Sequence, residues 1–257
     1  MEEQTNAQYI NLGGLKEIQK RLACVLDPYG FEYHPLKIGW YNEQVAKCFQ
    51  LPYHDETLAF VIISTPSMFE KAFIPFVCKL GQVKSNLDPL DQCMMQHFSA
   101  IKEEFSDVKI EAIHDFELTP SRRPKILVQT AGHVSGAVRY YQQKDLMSDP
   151  WDGKKKVFGV CLHPGYGGWF ALRGVVIYST IRCPSLSRQQ PREILATEGD
   201  VVELLRLYND HWQDWSFRDI IPVKERYSQE QKNYFSTQPG DRKKLIEKYC
   251  NSFDRSV

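Results

Sequence analysis

The chain has 257 residues, 42% apolar and 25% charged, with 32 basic and 32 acidic side chains and no formal net charge. That length fits one large domain or two small ones and buries a core without staples. Zero net charge argues against a polyanionic partner such as nucleic acid or an acidic membrane surface, while leaving room for a local basic pocket.

Leu15, Ile18, Leu22 and Val25 recur at helical spacing, and Asp27-Pro28-Tyr29-Gly30 ends that helix. Leu58 to Ile63 reads as a buried strand. A helix fits Met68 to Leu80, with Met68, Phe69, Phe73 and Phe76 as its apolar face and Pro75 set to kink or divide it. Asp88-Pro89 is an N-cap followed by proline in the first turn, opening a helix to about Phe105. Val108 to Phe116 alternates like a half-buried strand. Ile126 to Thr130 leads into the small-residue run Ala131 to Ala137, which fits helix or strand. Val157 to His163 and Trp169 to Tyr178 read as two strands, and Pro164-Gly165-Tyr166-Gly167-Gly168 between them has hairpin chemistry. Val201 to Trp215 reads as an aromatic-rich helix, and Asp241 as the cap of a last helix reaching Cys250. No linker or repeat divides the chain, so a single domain over residues 1–257 is expected, of class α+β rather than a regular βαβ series.

No run reaches the roughly 18 apolar residues of a membrane span, and Met1-Glu2-Glu3-Gln4 is unlike the start of a signal peptide. The seven cysteines (24, 48, 78, 93, 161, 183 and 250) show no C-x-x-C pair or zinc spacing. They are expected as reduced thiols of a cytoplasmic protein, most of them small core residues. The turn at 164–168 lacks the Gly-Lys-Ser/Thr of a phosphate loop, and neither a Gly-x-Ser-x-Gly elbow nor His-Glu-x-x-His occurs. His133, flanked by small residues, suits the close approach of a flat ligand; a satisfied core histidine is the commoner alternative. Tyr140-Tyr141-Gln142 offers two aromatic faces and an amide, or core packing. Cys161 has no sequence mark of a low-pKa thiolate. Arg173 interrupts an apolar strand, so its charge must reach solvent, a partner or an anionic ligand. Arg218 has Asp214 and Asp219 as near acids, and Arg242 stands in a helical first turn, where a solvated face is the default.

These residues lie in stretches that resemble the CblC family of cobalamin-processing proteins, the methylmalonic aciduria and homocystinuria type C family. The likeness runs from about Leu15 to Leu245. It is carried by Trp40-Tyr41-Asn42-Glu43, Leu58-Ala59-Phe60, Ser64-Thr65-Pro66, Asp88 to Cys93, Arg122 to Leu127, Gly159 to Pro164, Gly167 to Val176, His211 to Trp215, and Glu225 to Thr237. The resemblance implies a core similar to flavin-dependent nitroreductases, an antiparallel sheet with surrounding helices. It implies cobalamin bound with its lower base detached, alkyl transfer to the thiolate of glutathione, reductive loss of cyanide, and thiol oxidation as a side activity. It also implies a type D (CblD) adaptor protein as partner, with a monomer or a ligand-induced homodimer as the assembly, and the fold analogy adds FMN or FAD.

By the same resemblance, Arg173, Arg218 and Arg242 bind glutathione, whose two carboxylates suit arginine forks. Cobalamin falls to Asp115, Ile126, Leu127, Val128, Gln129, Tyr140, Tyr141, Gln142, Cys161 and Leu172, with His133 added from its small-residue setting. A corrin ring needs an apolar cavity with a few amide partners. The cobalt-ligating motif Asp-x-His-x-x-Gly is broken at Ala131, so no protein ligand to cobalt is expected, and no side chain is assigned as nucleophile. A cobalamin carrier with incidental turnover and an FMN-dependent reductase are the competing functions. The loop at Gly165-Tyr166, the Ala131-Gly132 run and the segment from Arg182 onward depart from the family pattern, and no long Pro/Ser-rich tail follows.

Overall fold

The computed structural model describes residues 7–80 and 88–253. Among these the strands are β1 (Gln8–Tyr9), β2 (Phe31–Lys37), β3 (Thr57–Ser64), β4 (Ile110–His114), β5 (Arg139–Tyr141), β6 (Val160–Leu162) and β7 (Ala171–Arg182). The α-helices are α1 (Leu12–Leu26), α2 (Ile38–Asn42), α3 (Ile74–Leu80), α4 (Pro89–Glu104), α5 (Val128–Val134), α6 (Glu198–Asp210), α7 (Gln229–Ser236) and α8 (Arg242–Phe253).

The class is α+β. Strand β3 pairs antiparallel with β2 on one side and β7 on the other. The far edge of β7 takes β4 antiparallel and the short β1 parallel. All eight residues of β3 are buried, because helices cover both faces of the sheet. Leu58, Phe60 and Ile62 join Val176 and Tyr178 against α1, α3 and α4. Ala59, Val61 and Ile63 join Leu172, Val175 and Ile177 against α2 and α5. The period-2 alternation of a strand thus feeds two separate cores.

Several expected boundaries hold. Asp88 caps α4, its side chain accepting from Leu90 N at 2.8 Å, and Pro89 opens the helix. Gly30 (φ 77°) ends the short turn after α1. The helix expected from Met68 does divide at Pro75: a π-helical turn over Phe69–Phe73 hands over to α3. Proline cannot supply the intrahelical N–H, and a widened turn just before it absorbs the mismatch.

Other expectations are corrected. The two strands flanking residues 164–168 do not form a hairpin with each other. The turn closes on itself through the His163–Gly167 bridge, and β6 then pairs with β5 while β7 enters the main sheet. The helix expected to Trp215 stops at Asp210, where His211 leaves the helical conformation (φ −132°, ψ 23°); Trp215, beyond a short 3₁₀ turn, adopts the left-handed φ of 67°. The small-residue run is settled as helix through Val134. A Cβ on Gly132 would come within 2.9 Å of both Val138 and Leu172, so the glycine serves the close seating of α5 on β7 and leaves no room for a ligand there. The cysteines are not all free: Cys78 on α3 and Cys250 on α8 form a disulfide, while Cys24 and Cys48 are exposed and Cys93, Cys161 and Cys183 are buried. The packing of α3 on α8 brings those Cα atoms to 5.0 Å across 172 residues of sequence.

Candidate functional site

Arg173 owes its position to a β-bulge. The β3–β7 register passes from Ile62–Gly174 to Ile63–Leu172, leaving Arg173 as the extra residue. A bulge re-aims a side chain. Gly174 makes this one feasible: its φ is 142°, and a Cβ there would strike the Ile113 carbonyl. Arg173 is only 7% exposed, and its Nε donates to Ser64 Oγ at 2.8 Å. Among the described residues no carboxylate forms an ion pair with it. Its charge reaches Asp91 and Asp115 from further away. Burial, then the Asp88 and Asp115 charges, push Asp91 up to about 6 against the pull of Arg173. Burial likewise raises Asp115, and Arg173 opposes it. A buried guanidinium without an ion-pair partner is what an anion-binding site requires.

Arg218 is held by the glycine-rich turn. Gly168 N donates to Arg218 O at 3.0 Å, and the Arg218 guanidinium donates back to Gly168 O. A Cβ on Gly167 or Gly168 would collide with the Arg218 backbone. The guanidinium carbon stands 4.9 Å from the Trp215 and Phe217 ring centroids, 5.1 Å from Tyr227 and 5.6 Å from Trp169. Trp215 lies parallel to Trp169, centroids 5.7 Å apart. Rings at this range attract the cation through their negative faces without neutralising it. Neither near acid pairs with Arg218. Asp219 accepts from Trp169 Nε1 at 2.7 Å and Arg226 Nε at 2.8 Å, and Asp214 accepts from Ser216 N.

Arg242 is not a solvated face either. Its Nη1 meets Asp88 Oδ2 at 2.8 Å, its Nε donates to Thr237 O at 3.1 Å, and its guanidinium lies 4.7 Å from the Tyr234 ring centroid. The three arginines, far apart in sequence, line one cleft of about 1020 Å³. Three cations with one directly paired carboxylate make a site for a small polyanion.

Of the residues assigned to cobalamin, Gln129 and Tyr140 line this cleft with the arginines. Tyr140 faces Cys161 in the β5–β6 pair, and Cys161 Sγ lies 3.9 Å from Gln129 O. Burial pushes the Cys161 thiol well above its ordinary range. Asp115 N donates to Arg173 O at 3.2 Å. The remainder do not line this cleft. Leu172 points to the opposite face of β7 from Arg173, and Ile126 is buried with it. Leu127 N donates to Tyr41 Oη, and Val128 begins α5. Tyr141 is buried and accepts from Ile194 and Leu195 N. Gln142 caps a 3₁₀ turn. His133 does not line the cleft: its Nδ1 accepts from Tyr140 N at 3.3 Å, and burial with the Arg139 charge lowers its pKa.

Sequence reasoning missed most of the aromatic wall, including Phe158, Tyr208, Trp212, Phe217, Tyr227 and Phe235. Its one signal was the aromatic density of residues 208–217.

A second polar cluster joins Glu32, His34 and His163, whose ligand atoms all lie within 4.8 Å of one another. Gly165 N and Tyr166 N both donate to His163 Nδ1, at 3.0 and 3.2 Å. The ring proton therefore sits on Nε2 and faces Glu32 Oε2 at 3.2 Å. Burial would raise the Glu32 pKa, but hydrogen bonds from His163 and His34 outweigh it and hold the carboxylate ionised. With Nε2 protonated, the cluster braces the turn that carries Arg218 and offers a cation no free imidazole nitrogen at His163.

Comparison with known proteins follows the same lines. The sequence model of the methylmalonic aciduria and homocystinuria type C family matches residues 30–246. A Gallus gallus protein named cyanocobalamin reductase / alkylcobalamin dealkylase is 54% identical over 231 residues, 90% of this chain and 96% of its own. The Homo sapiens protein of the same name is 45% identical over 232 residues, 90% and 81% of the two chains. The crystal structure of a Caenorhabditis elegans B12-trafficking protein, CblC, superposes with a TM-score of 0.85 at 34% identity, covering 93% of this chain and 97% of the other.

Proposed function

We propose that this chain, which belongs to the methylmalonic aciduria and homocystinuria type C family, processes cobalamin by removing its upper axial group. Cyanide is removed reductively and alkyl groups by dealkylation, the two activities in its relatives' names. We infer that the alkyl acceptor is glutathione. The observation that carries this is the convergence of Arg173, Arg218 and Arg242 on one cleft. Glutathione brings two carboxylates, and guanidinium forks bind carboxylates in fixed planes.

Two of the chain's own buried thiols, Cys93 and Cys161, are unsuited to the task. Burial pushes Cys93 up to about 12 and Cys161 higher still, so neither is a thiolate at neutral pH. Among the described residues no cysteine lines the cleft, so the nucleophile arrives with the co-substrate, and nearby cations favour its thiolate form. In-line attack forms the sulfur–carbon bond, and the carbon–cobalt electron pair remains on cobalt as cob(I)alamin. The protein contributes proximity and orientation, and the reactivity is cobalamin's own. Gln129 supplies an amide and Tyr140 an aromatic face for the corrin. His133, with its Nδ1 engaged by Tyr140 N, fits binding without a protein ligand to cobalt. The family resemblance extends this reading to hand-over through a type D adaptor and to a flavin as further cofactor.

The test is the visible spectrum of the protein with methylcobalamin, before and after glutathione is added without oxygen. A blue-shifted base-off band, then cob(I)alamin with S-methylglutathione, is expected. A base-off shift without reaction would indicate a carrier. An unshifted spectrum, with FMN retained instead, would indicate a flavin reductase.

A further inference from the structure

Arg242 is the first residue of α8, and a helix N-terminus is the wrong place for a cation. The unpaired N–H groups there carry a partial positive charge that repels a guanidinium. Something must hold Arg242 against that repulsion, and the structure shows what it is. Asp88, 154 positions away in sequence, presents Oδ2 to Arg242 Nη1 at 2.8 Å. Its other oxygen, Oδ1, accepts from Leu90 N at 2.8 Å and caps α4. The N-terminus of α4 thus meets the same carboxylate that pairs with Arg242. On its other edge Arg242 donates Nε to Thr237 O, and the Tyr234 ring lies against its face. Two edges and one face of the guanidinium are held by the protein. Thr237 and Arg242 both line the cleft.

We propose that Asp88 is a positioning residue for co-substrate binding: it orients the Arg242 fork so that the remaining N–H groups meet a carboxylate of the incoming thiol peptide. The inference rests on the glutathione reading above. It makes a prediction that simple electrostatics reverses. If Asp88 served only to neutralise Arg242, removing its charge would strengthen anion binding. If it sets the plane of the fork, removing its charge weakens binding, because bidentate recognition depends on geometry.

Two substitutions separate the roles of the two oxygens. Asp88→Asn keeps a good helix cap and removes the charge. Asp88→Glu keeps the charge on a longer arm and gives up the favoured cap. Dealkylation of methylcobalamin is followed against glutathione concentration. Asp88→Asn is expected to raise KM for glutathione about tenfold, the equivalent of one charge-assisted contact, with a much smaller change in kcat and little change in Tm. Asp88→Glu is expected to recover most of the KM while lowering Tm.

A readout without turnover accompanies these. In the protein alone, the Arg242 Nε–H NMR signal, identified by its absence in Arg242→Lys, is expected sharp and slowly exchanging in the parent and Asp88→Glu, and averaged with solvent in Asp88→Asn. An unchanged or lower KM in Asp88→Asn would overturn the positioning role, as would an Arg242 signal indifferent to the substitution. A parent protein that dealkylates without any dependence on glutathione would overturn the underlying reading instead, and the NMR result would still report whether Asp88 holds Arg242.

Discussion

Arg173 Nε donates to Ser64 Oγ at 2.8 Å across the β3–β7 pair, with both side chains buried. The hydroxyl takes one edge of the guanidinium without neutralising it. The charge stays available, and the fork gains a fixed plane. Ser64→Ala is therefore expected to destabilise the fold by about 1–3 kcal/mol, the cost of an unsatisfied buried donor. It is also expected to raise KM for glutathione while leaving cobalamin affinity near the parent value. Urea unfolding and a glutathione titration at saturating methylcobalamin measure the two effects. Equal kinetics in mutant and parent would show that Arg173 needs no help from Ser64.

Gly174 sits beside Arg173 in the bulge with φ 142°, and a Cβ would strike the Ile113 carbonyl across the β4–β7 pair. A side chain meets two penalties here, an unfavourable backbone conformation and a collision with backbone rather than with a mobile side chain. Gly174→Ala is expected to lower stability by about 3 kcal/mol or more. A Tm within a degree or two of the parent would show that the bulge relaxes freely.

His97 lies against Tyr29 and Phe31, its ring centroid 4.7 and 5.0 Å from theirs. Burial pushes its pKa down to about 4, from about 6.5 in the unfolded chain. Between those values the unfolded chain binds a proton that the folded chain refuses. Stability is therefore lost as pH falls from 6.5 toward 4, with no further loss from this group below 4. By pH 5 the loss is about 2 kcal/mol, to order of magnitude. Urea midpoints at pH 7 and pH 5 should converge in His97→Leu relative to the parent. The same drop in both proteins would assign the acid limb to other groups.

The Cys78–Cys250 disulfide ties α8, which begins at Arg242, to α3. A bridge closing a loop this long contributes about 2–5 kcal/mol. Reductant is expected to lower the parent Tm and to leave Cys250→Ser, already lower, unmoved. A parent Tm indifferent to reductant would show that the docking of α8 rests on its packing and hydrogen bonds, Ile246, Tyr249 and the Arg242–Asp88 pair among them.

The sequence displayed what is locally encoded. The continuous apolar run of β3, the Asp88-Pro89 start of α4 and the divided helix at Pro75 follow from propensity and proline stereochemistry, which need no distant partner. It concealed what distant contacts decide. Turn chemistry at 164–168 was legible, but which sheet each arm joins depends on β5 and on the segment around Arg218. The acids nearest Arg218 in sequence were Asp214 and Asp219, yet one caps a turn and the other binds Trp169 and Arg226. The partner of Arg242 is Asp88, beyond the reach of any local pattern. The bulge that aims Arg173 leaves only a glycine after an arginine as its trace. The resemblance to a family brought the three arginines together before the geometry did, and the structure supplies the reason they converge.

The central claim is that the cleft recognises its thiol by its carboxylates. The most direct measurement compares glutathione with its dimethyl ester as alkyl acceptor from methylcobalamin, without oxygen, in the parent protein and in Arg173→Ala. The two thiols share a nucleophile and differ in charge. The account predicts that the diester loses about 100-fold or more in kcat/KM, as expected for losing two charge-assisted contacts, and that Arg173→Ala narrows the gap by weakening glutathione alone. Equal use of both thiols by the parent would contradict it.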